Sequence, residues 1–238
     1  MTSYKQVYDN GILDVWLDIS TFCNAGCPEC HRTEHTKPGL NKVEWLPLVQ
    51  WSLDTFKKSY SKEMISKTKR WEFCGTWGDP AMNKDLVKMT EYILEGNKDA
   101  EIIIFTNGSI RSKEWWHDLG KLGRQVSTWF ALEGVTQEMH AKYRRKTSLK
   151  KLLENMQSFS EGGGTAKIFT VIHRHNQDYL KQIENLALEH GAIGFSWVKS
   201  TRFTPGEDWF DFYDEHGNMT KLHKPTENFE KPFFGDIV

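Results

Sequence analysis

Short apolar runs alternate with longer segments of helical spacing along most of the chain, and this alternation constrains the fold more than any other feature. Residues 13–20 read as a strand with Val15, Leu17 and Ile19 on one face and Trp16 on the other. Further strands are expected at 71–74, 101–105, 126–132, 167–172 and 194–198. Helices are expected at 43–56 (Leu46, Val49, Leu53, Phe56), 84–94, 113–122, 149–159 and 179–190. Six strand–helix units, the last helix unassigned, imply a parallel sheet with helices outside, because a parallel crossover needs a long connection. The continuous Ile102-Ile103-Ile104-Phe105 run suits a sheet covered on both faces. Six units fall short of the eight of a closed barrel, so the fold class expected is α/β, a partial (β/α)6 TIM-like barrel. A doubly wound sheet is the rival that periodicity alone does not separate. Beyond residue 203 the pattern dissolves into Pro, Gly, acidic and aromatic residues. Residues 1–203 are therefore expected to form the core, with 204–238 a short irregular C-terminal extension packed on it.

At 238 residues the chain suits one substantial domain, and its formal charge of −1 gives no global field for nucleic acid. No apolar run approaches the roughly 18 residues of a membrane span, and the N-terminus lacks the apolar stretch of a secretory signal. Four cysteines in such a chain point to a reducing, cytoplasmic setting, where thiols act as ligands or reactive groups.

Three of those cysteines crowd into the loop after the first strand, Cys23-Asn24-Ala25-Gly26-Cys27-Pro28-Glu29-Cys30. Three thiolates at this spacing can wrap one metal centre, with Gly26 and Pro28 assisting the chain reversal. A structural zinc site is the plain alternative, with His31, His35 or Cys74 as fourth ligand. Thiolates suit zinc and iron–sulfur alike, so the triplet by itself leaves both open.

Cys-x3-Cys-x2-Cys after a first strand resembles the signature of the radical S-adenosylmethionine (SAM) superfamily, and three further segments follow in the family's order. Gly75-Thr76-Trp77-Gly78-Asp79-Pro80 is similar to its Gly-Gly-Glu-Pro motif, with Trp77 in place of the first Gly and Asp79 in place of Glu. Thr106-Asn107-Gly108 matches its Thr-Asn-Gly. Phe130-Ala131-Leu132-Glu133-Gly134 with His140, Tyr143 and Arg144 resembles the Ser-Leu-Asp-Gly … His-x2-Tyr-Arg run of members with SPASM or twitch extensions, many of which modify peptides. The likeness continues through Leu149, Leu153, Glu154, Asn155, Val171, Ile172 and Asn176, and so spans residues 13–198. It stops there: such extensions carry further cysteines, and none follows Cys74.

The resemblance implies a 4Fe–4S cluster on Cys23, Cys27 and Cys30 whose open iron chelates SAM. It implies SAM contacts from Trp77, Gly78, Asp79, Thr106, Asn107, Ala131, Glu133 and Arg144. Glu29 stands where many members have an aromatic residue near the adenine. The expected activity is reductive SAM cleavage and hydrogen abstraction from a peptide, protein or small-molecule substrate, with a flavodoxin or ferredoxin as electron donor. Nucleotide modification, activation of a glycyl-radical enzyme, and a zinc-stabilised binding module without catalysis are the alternatives. Cys74 reads as a buried strand thiol, His173 and His175 as candidate substrate contacts, and Trp209, Phe210, Phe212 and Tyr213 as cover for apolar core or a lid.

Overall fold

A computed structural model describes residues 13–200 and 202–226, and the expectations for 1–12 and 227–238 lie outside the described residues. Six parallel strands form the main sheet: β1 (Leu13–Leu17), β4 (Thr68–Phe73), β5 (Glu101–Thr106), β6 (Val126–Ala131), β7 (Thr165–Ile172) and β8 (Gly194–Lys199). They lie side by side in chain order, β1-β4-β5-β6-β7-β8. A doubly wound sheet reverses its order at a switch point. Sequential order is the topology of a partial barrel, so the rival is excluded.

Helices α1 (Leu53–Ser59), α2 (Lys62–Lys67), α3 (Leu86–Gly96), α4 (Lys113–Gly120), α5 (Gln137–Ala141), α6 (Leu149–Glu161) and α7 (Leu180–Glu189) fill the connections. Alternation along the strands sorts the side chains. Trp71, Phe73, Ile102, Ile104, Val126, Phe130, Ile168 and Ile172 are buried in one cluster with Phe56, Met89, Ile93, Trp116, Leu152, Met156 and Phe159. That helix-facing layer is the core. The opposite face of each strand points into the barrel.

The expected helix over 43–56 is shorter than its apolar spacing suggested. Pro47 cannot donate to a helical ladder and biases Leu46 away from helical geometry. The chain runs extended beside the end of the first strand instead, where Thr21 N–H donates to Val49 O at 3.0 Å. Val49 N–H returns a bond to Thr21 Oγ1 at 2.7 Å. Helix α1 begins only at Leu53, where the Ser52 hydroxyl accepts from Thr55 N–H at 3.1 Å. α2, α5 and a small hairpin in the cysteine loop, β2 (Thr33–Glu34) with β3 (Asn41–Lys42), were not anticipated. Each is too short to leave a periodic signature.

The C-terminal segment is also more regular than expected. β9 (Trp209–Tyr213) and β10 (Met219–His223) pair antiparallel. Asp214 fixes the turn, its Oδ1 accepting from His216 N–H and Asn218 N–H at 2.8 Å each. Phe212 and Leu222 bury against Ala25, Cys27, Leu40 and Tyr143, so the hairpin backs the cysteine loop.

Candidate active site

The cysteine loop leaves the C-terminal end of the sheet and folds back across it. Cys30 N–H bonds Cys27 O at 3.1 Å, Thr33 N–H bonds Cys30 O at 2.8 Å, and Gly26 N–H bonds Arg145 O at 3.0 Å. These bonds bring Cys23, Cys27 and Cys30 onto one wall of a cavity of about 520 Å³. Gly78, Asp79, Thr106, Asn107, Ala131 and Arg144 line the same cavity. Strand ends far apart in sequence thus converge where a barrel's functional face lies.

Gly78 owes its identity to a close backbone approach. A Cβ there would stand 2.1 Å from Ser20 O and 2.8 Å from the Thr21 carbonyl carbon. The next residue, Asp79, donates its N–H to Phe22 O at 2.7 Å, which pins this turn to the start of the cysteine loop. Asp18 holds the other end, accepting from Thr76 N–H at 3.0 Å and Trp77 N–H at 3.3 Å. Trp77 itself turns away from the cavity, its ring 5.4 Å from that of Trp45 and 6.3 Å from His31.

Asp79 is a buried hub. Its carboxylate accepts from Thr106 Oγ1 at 2.9 and 3.1 Å, Asn107 N–H at 2.8 Å, Asn107 Nδ2 at 2.6 Å and Ala81 N–H at 3.0 Å. Burial lifts this carboxyl above the ordinary aspartate value, opposed by those donors. With both oxygens engaged, the side chain braces the Thr106-Asn107 turn instead of presenting a free acceptor. Asn107 Nδ2 also reaches Asn24 Oδ1 at 2.9 Å and Cys23 Sγ at 3.7 Å, joining that turn to the first cysteine.

Arg144 is gripped from behind. Its Nε and Nη2 each donate to a different oxygen of the Glu133 carboxylate at 2.8 Å, a bidentate pair, while Nη1 faces Cys27 Sγ at 3.6 Å. Glu133 is fully buried and does not line the cavity; it positions Arg144. His140 supports the pair. Glu133 N–H donates to His140 Nδ1 at 3.3 Å, and Thr147, whose hydroxyl donates to Arg144 O at 2.6 Å, accepts from His140 Nε2 at 3.0 Å. These bonds require the neutral ring protonated at Nε2, and burial lowers its pKa to about 4.

Burial also pushes the Cys23 thiol up to about 12 and the Cys27 thiol to about 11. Ala25 N–H points at Cys23 Sγ from 3.4 Å. Three sulfurs on one wall, met by amide and guanidinium donors, form a donor set suited to a thiolate-bound cationic centre. Among the described residues no three Cys, His, Asp or Glu side chains close around a single metal ion.

Other expected residues fall elsewhere. His173 is fully buried and bonds Glu29 Oε2 through Nε2 at 3.1 Å; neither it nor His175 lines the cavity. Glu29 Oε2 also accepts from Ser200 Oγ at 2.7 Å, whereas its Oε1 is buried without a partner. Cys74, expected to be buried, is only half-buried and stands on the cavity wall. His35 packs on Phe210, with ring centroids 4.7 Å apart. Asn83, Asn155 and Asn176 each donate through Nδ2 to two main-chain carbonyls and so crosslink the loops around the site.

A family model described as Radical SAM superfamily matches residues 17–187. Among solved structures, Streptococcus suis SuiB bound to S-adenosylmethionine is 14% identical, with a TM-score of 0.64, over 84% of this chain and 44% of that one. The anSMEcpe protein with bound AdoMet is 14% identical, with a TM-score of 0.60, over 79% of this chain and 51% of that one. Methylornithine synthase (PylB) is 12% identical, with a TM-score of 0.54, over 84% and 61%. The chain therefore spans less than two thirds of the length of each of these neighbours, and at such identity the likeness is one of fold. No curated protein matches it in sequence.

Proposed function

The chain belongs to the radical SAM superfamily, and from that premise we propose that it is an enzyme holding a 4Fe–4S cluster on Cys23, Cys27 and Cys30 and binding SAM beside it. The observation that carries this reading is the shared cavity: three thiols and residues from all six strands of the main sheet face one space. When bound, the pair of cofactors supplies one-electron cleavage of the sulfonium and hydrogen abstraction from a substrate.

The protein's part is to bind, orient and exclude water. Donors from Ala25, Asn107 and Arg144 offset charge on the sulfurs. Because the Asp79 carboxylate is already engaged, an ammonium group would meet main-chain groups of the turn that holds Trp77, Gly78 and Asp79, which Thr106 and Asn107 keep in place. Arg144, anchored by Glu133, presents a positive charge for a carboxylate. Ala131 leaves room beside them. Lumen residues Phe105, Trp129 and Phe169 give the reacting centre apolar walls. SuiB is described bound to the precursor peptide SuiA, and anSMEcpe with bound AdoMet and a Cp18Cys peptide. A peptide is the substrate class this likeness favours, and a flavodoxin or ferredoxin the electron donor.

Anaerobic reconstitution followed by metal analysis tests the reading. The expected result is about four irons per chain, lost on replacing any of the three cysteines with Ala and kept in Cys74→Ala. The reduced protein should release 5′-deoxyadenosine and methionine from SAM. Tight zinc with no iron uptake, or bound SAM that is never cleaved, overturns it.

A further inference from the structure

The lumen beneath the cysteine loop carries a polar feature that the cofactor reading leaves unused. Glu72 points inward from β4, opposite Trp16 of β1 in the strand register. Among the described residues its carboxylate has one bonded neighbour, Cys74, whose Sγ lies 3.9 Å from Oε1. Below it, Arg70 is already divided between Glu101 at 2.8 Å and Asp14 at 3.7 Å. The one guanidinium at the floor of the barrel is therefore shared by Asp14 and Glu101.

The arginines that line the cavity are committed elsewhere. Arg144 pairs with Glu133, Arg32 Nε donates to Thr21 O at 3.0 Å, and Arg202 donates to Glu29 O. Lys167 lies over the Trp129 ring, 5.2 Å from its centroid. Among the described residues no cation stands within ion-pair distance of Glu72. Burial raises the Glu72 carboxyl, with Arg70 opposing and Asp14 and Glu101 reinforcing the rise.

Aromatic rings line the same cavity as this acid. Trp16 is 69% exposed although it faces the barrel. Phe105 stacks on Trp129 at 6.2 Å and 12°, and meets Phe169 edge-on at 6.2 Å. Half-exposed aromatic faces around one unpaired carboxylate attract an organic cation, through the ring quadrupoles and through a charge-assisted hydrogen bond.

Resting on the enzyme reading above, we propose that this lumen selects substrates bearing an ammonium or guanidinium group, with Glu72 as its anchor and Trp16 as its aromatic wall. A lysine or arginine side chain in a peptide meets this description: its stem lies along the rings and its charge reaches the acid.

The test measures binding of Nα-acetyl-lysinamide, Nα-acetyl-norleucinamide and Nα-acetyl-glutamic acid amide to the reconstituted protein, with and without SAM, by ligand-observed NMR. The lysine probe should saturate at about tenfold lower concentration than the norleucine probe. Glu72→Gln should abolish that preference while leaving norleucine binding, iron content and SAM affinity unchanged. Glu72→Lys should shift the preference to the glutamate probe. Equal binding of the first two probes, no saturable binding of any probe, or a lysine preference that survives Glu72→Gln overturns the proposal. Iron content and SAM affinity, read on the same samples, fail separately if the enzyme reading itself is wrong.

Discussion

The two faces of the six-stranded sheet are made by the same strands and behave as different materials. On the helix side, Trp71, Phe73, Ile102, Ile104 and Phe130 are fully buried. On the lumen side, their immediate neighbours Glu72, Ile103, Phe105 and Trp129 are only half-buried, and Trp16 is mostly exposed. Alternate residues of one strand thus serve opposite ends: one set removes apolar area from water, and the next keeps apolar area available for a ligand. Stability should depend on the first set, and binding on the second.

Trp71→Ala is the severest test of that division. It empties a site packed by Phe56 and Tyr60 and should cost about 3–5 kcal/mol in denaturant unfolding. A loss as small as that of a lumen variant would erase the distinction between faces. Acid comes next. His140 is neutral in the fold, with a pKa near 4, against about 6.5 when unfolded. Protons therefore bind the unfolded chain first. The contribution is complete above about pH 6.5 and declines as pH falls towards 4, by roughly 3 kcal/mol in total. Urea midpoints measured from pH 7 to pH 4.5 check this, and a flat profile contradicts a buried neutral ring behind Glu133 and Arg144.

Gly78→Ala should cost about 1–3 kcal/mol through overpacking against the Ser20–Thr21 backbone. Because that contact lies at the cavity, SAM affinity should fall as well, which calorimetry on the reconstituted protein would show. Trp16→Ala should be the mildest, within about 0.5 kcal/mol of the parent, yet it should change lumen ligand binding. A large stability loss there would mean that the lumen is part of the core.

The sheet and its outer face were legible because strand alternation is a local signal. Ile102 and Ile104 announce a buried face without reference to anything distant. The cysteine triplet and the turns at Gly78-Asp79 and Thr106-Asn107 were legible as well, being contiguous. What could not be read is the wiring between them. That the Asp79 carboxylate is taken up by Thr106 and Asn107, that Glu133 stands behind Arg144, or that His173 bonds Glu29 depends on strand ends meeting in space. Periodicity also misled at 43–56, where spacing suggested a helix and Pro47 ruled one out. That proline was the available signal. The hairpin at 209–223 was not legible, because mixed aromatic and acidic residues obscure its strands.

Sequential strand order has a consequence for how the molecule opens. β5, β6 and β7 are hydrogen-bonded on both sides, whereas among the described residues β1 is paired with β4 alone, through the longest stretch of chain between any two neighbours in the sheet. A strand with one zipped edge and a long tether is the cheapest to release, because closing a longer loop costs more entropy. Amide protons of β1 should therefore exchange with solvent through a partial opening that leaves β5 to β7 protected. The residues released with it are those leading into Cys23, so the segment that grips the metal centre is hinged on the least secured edge of the sheet.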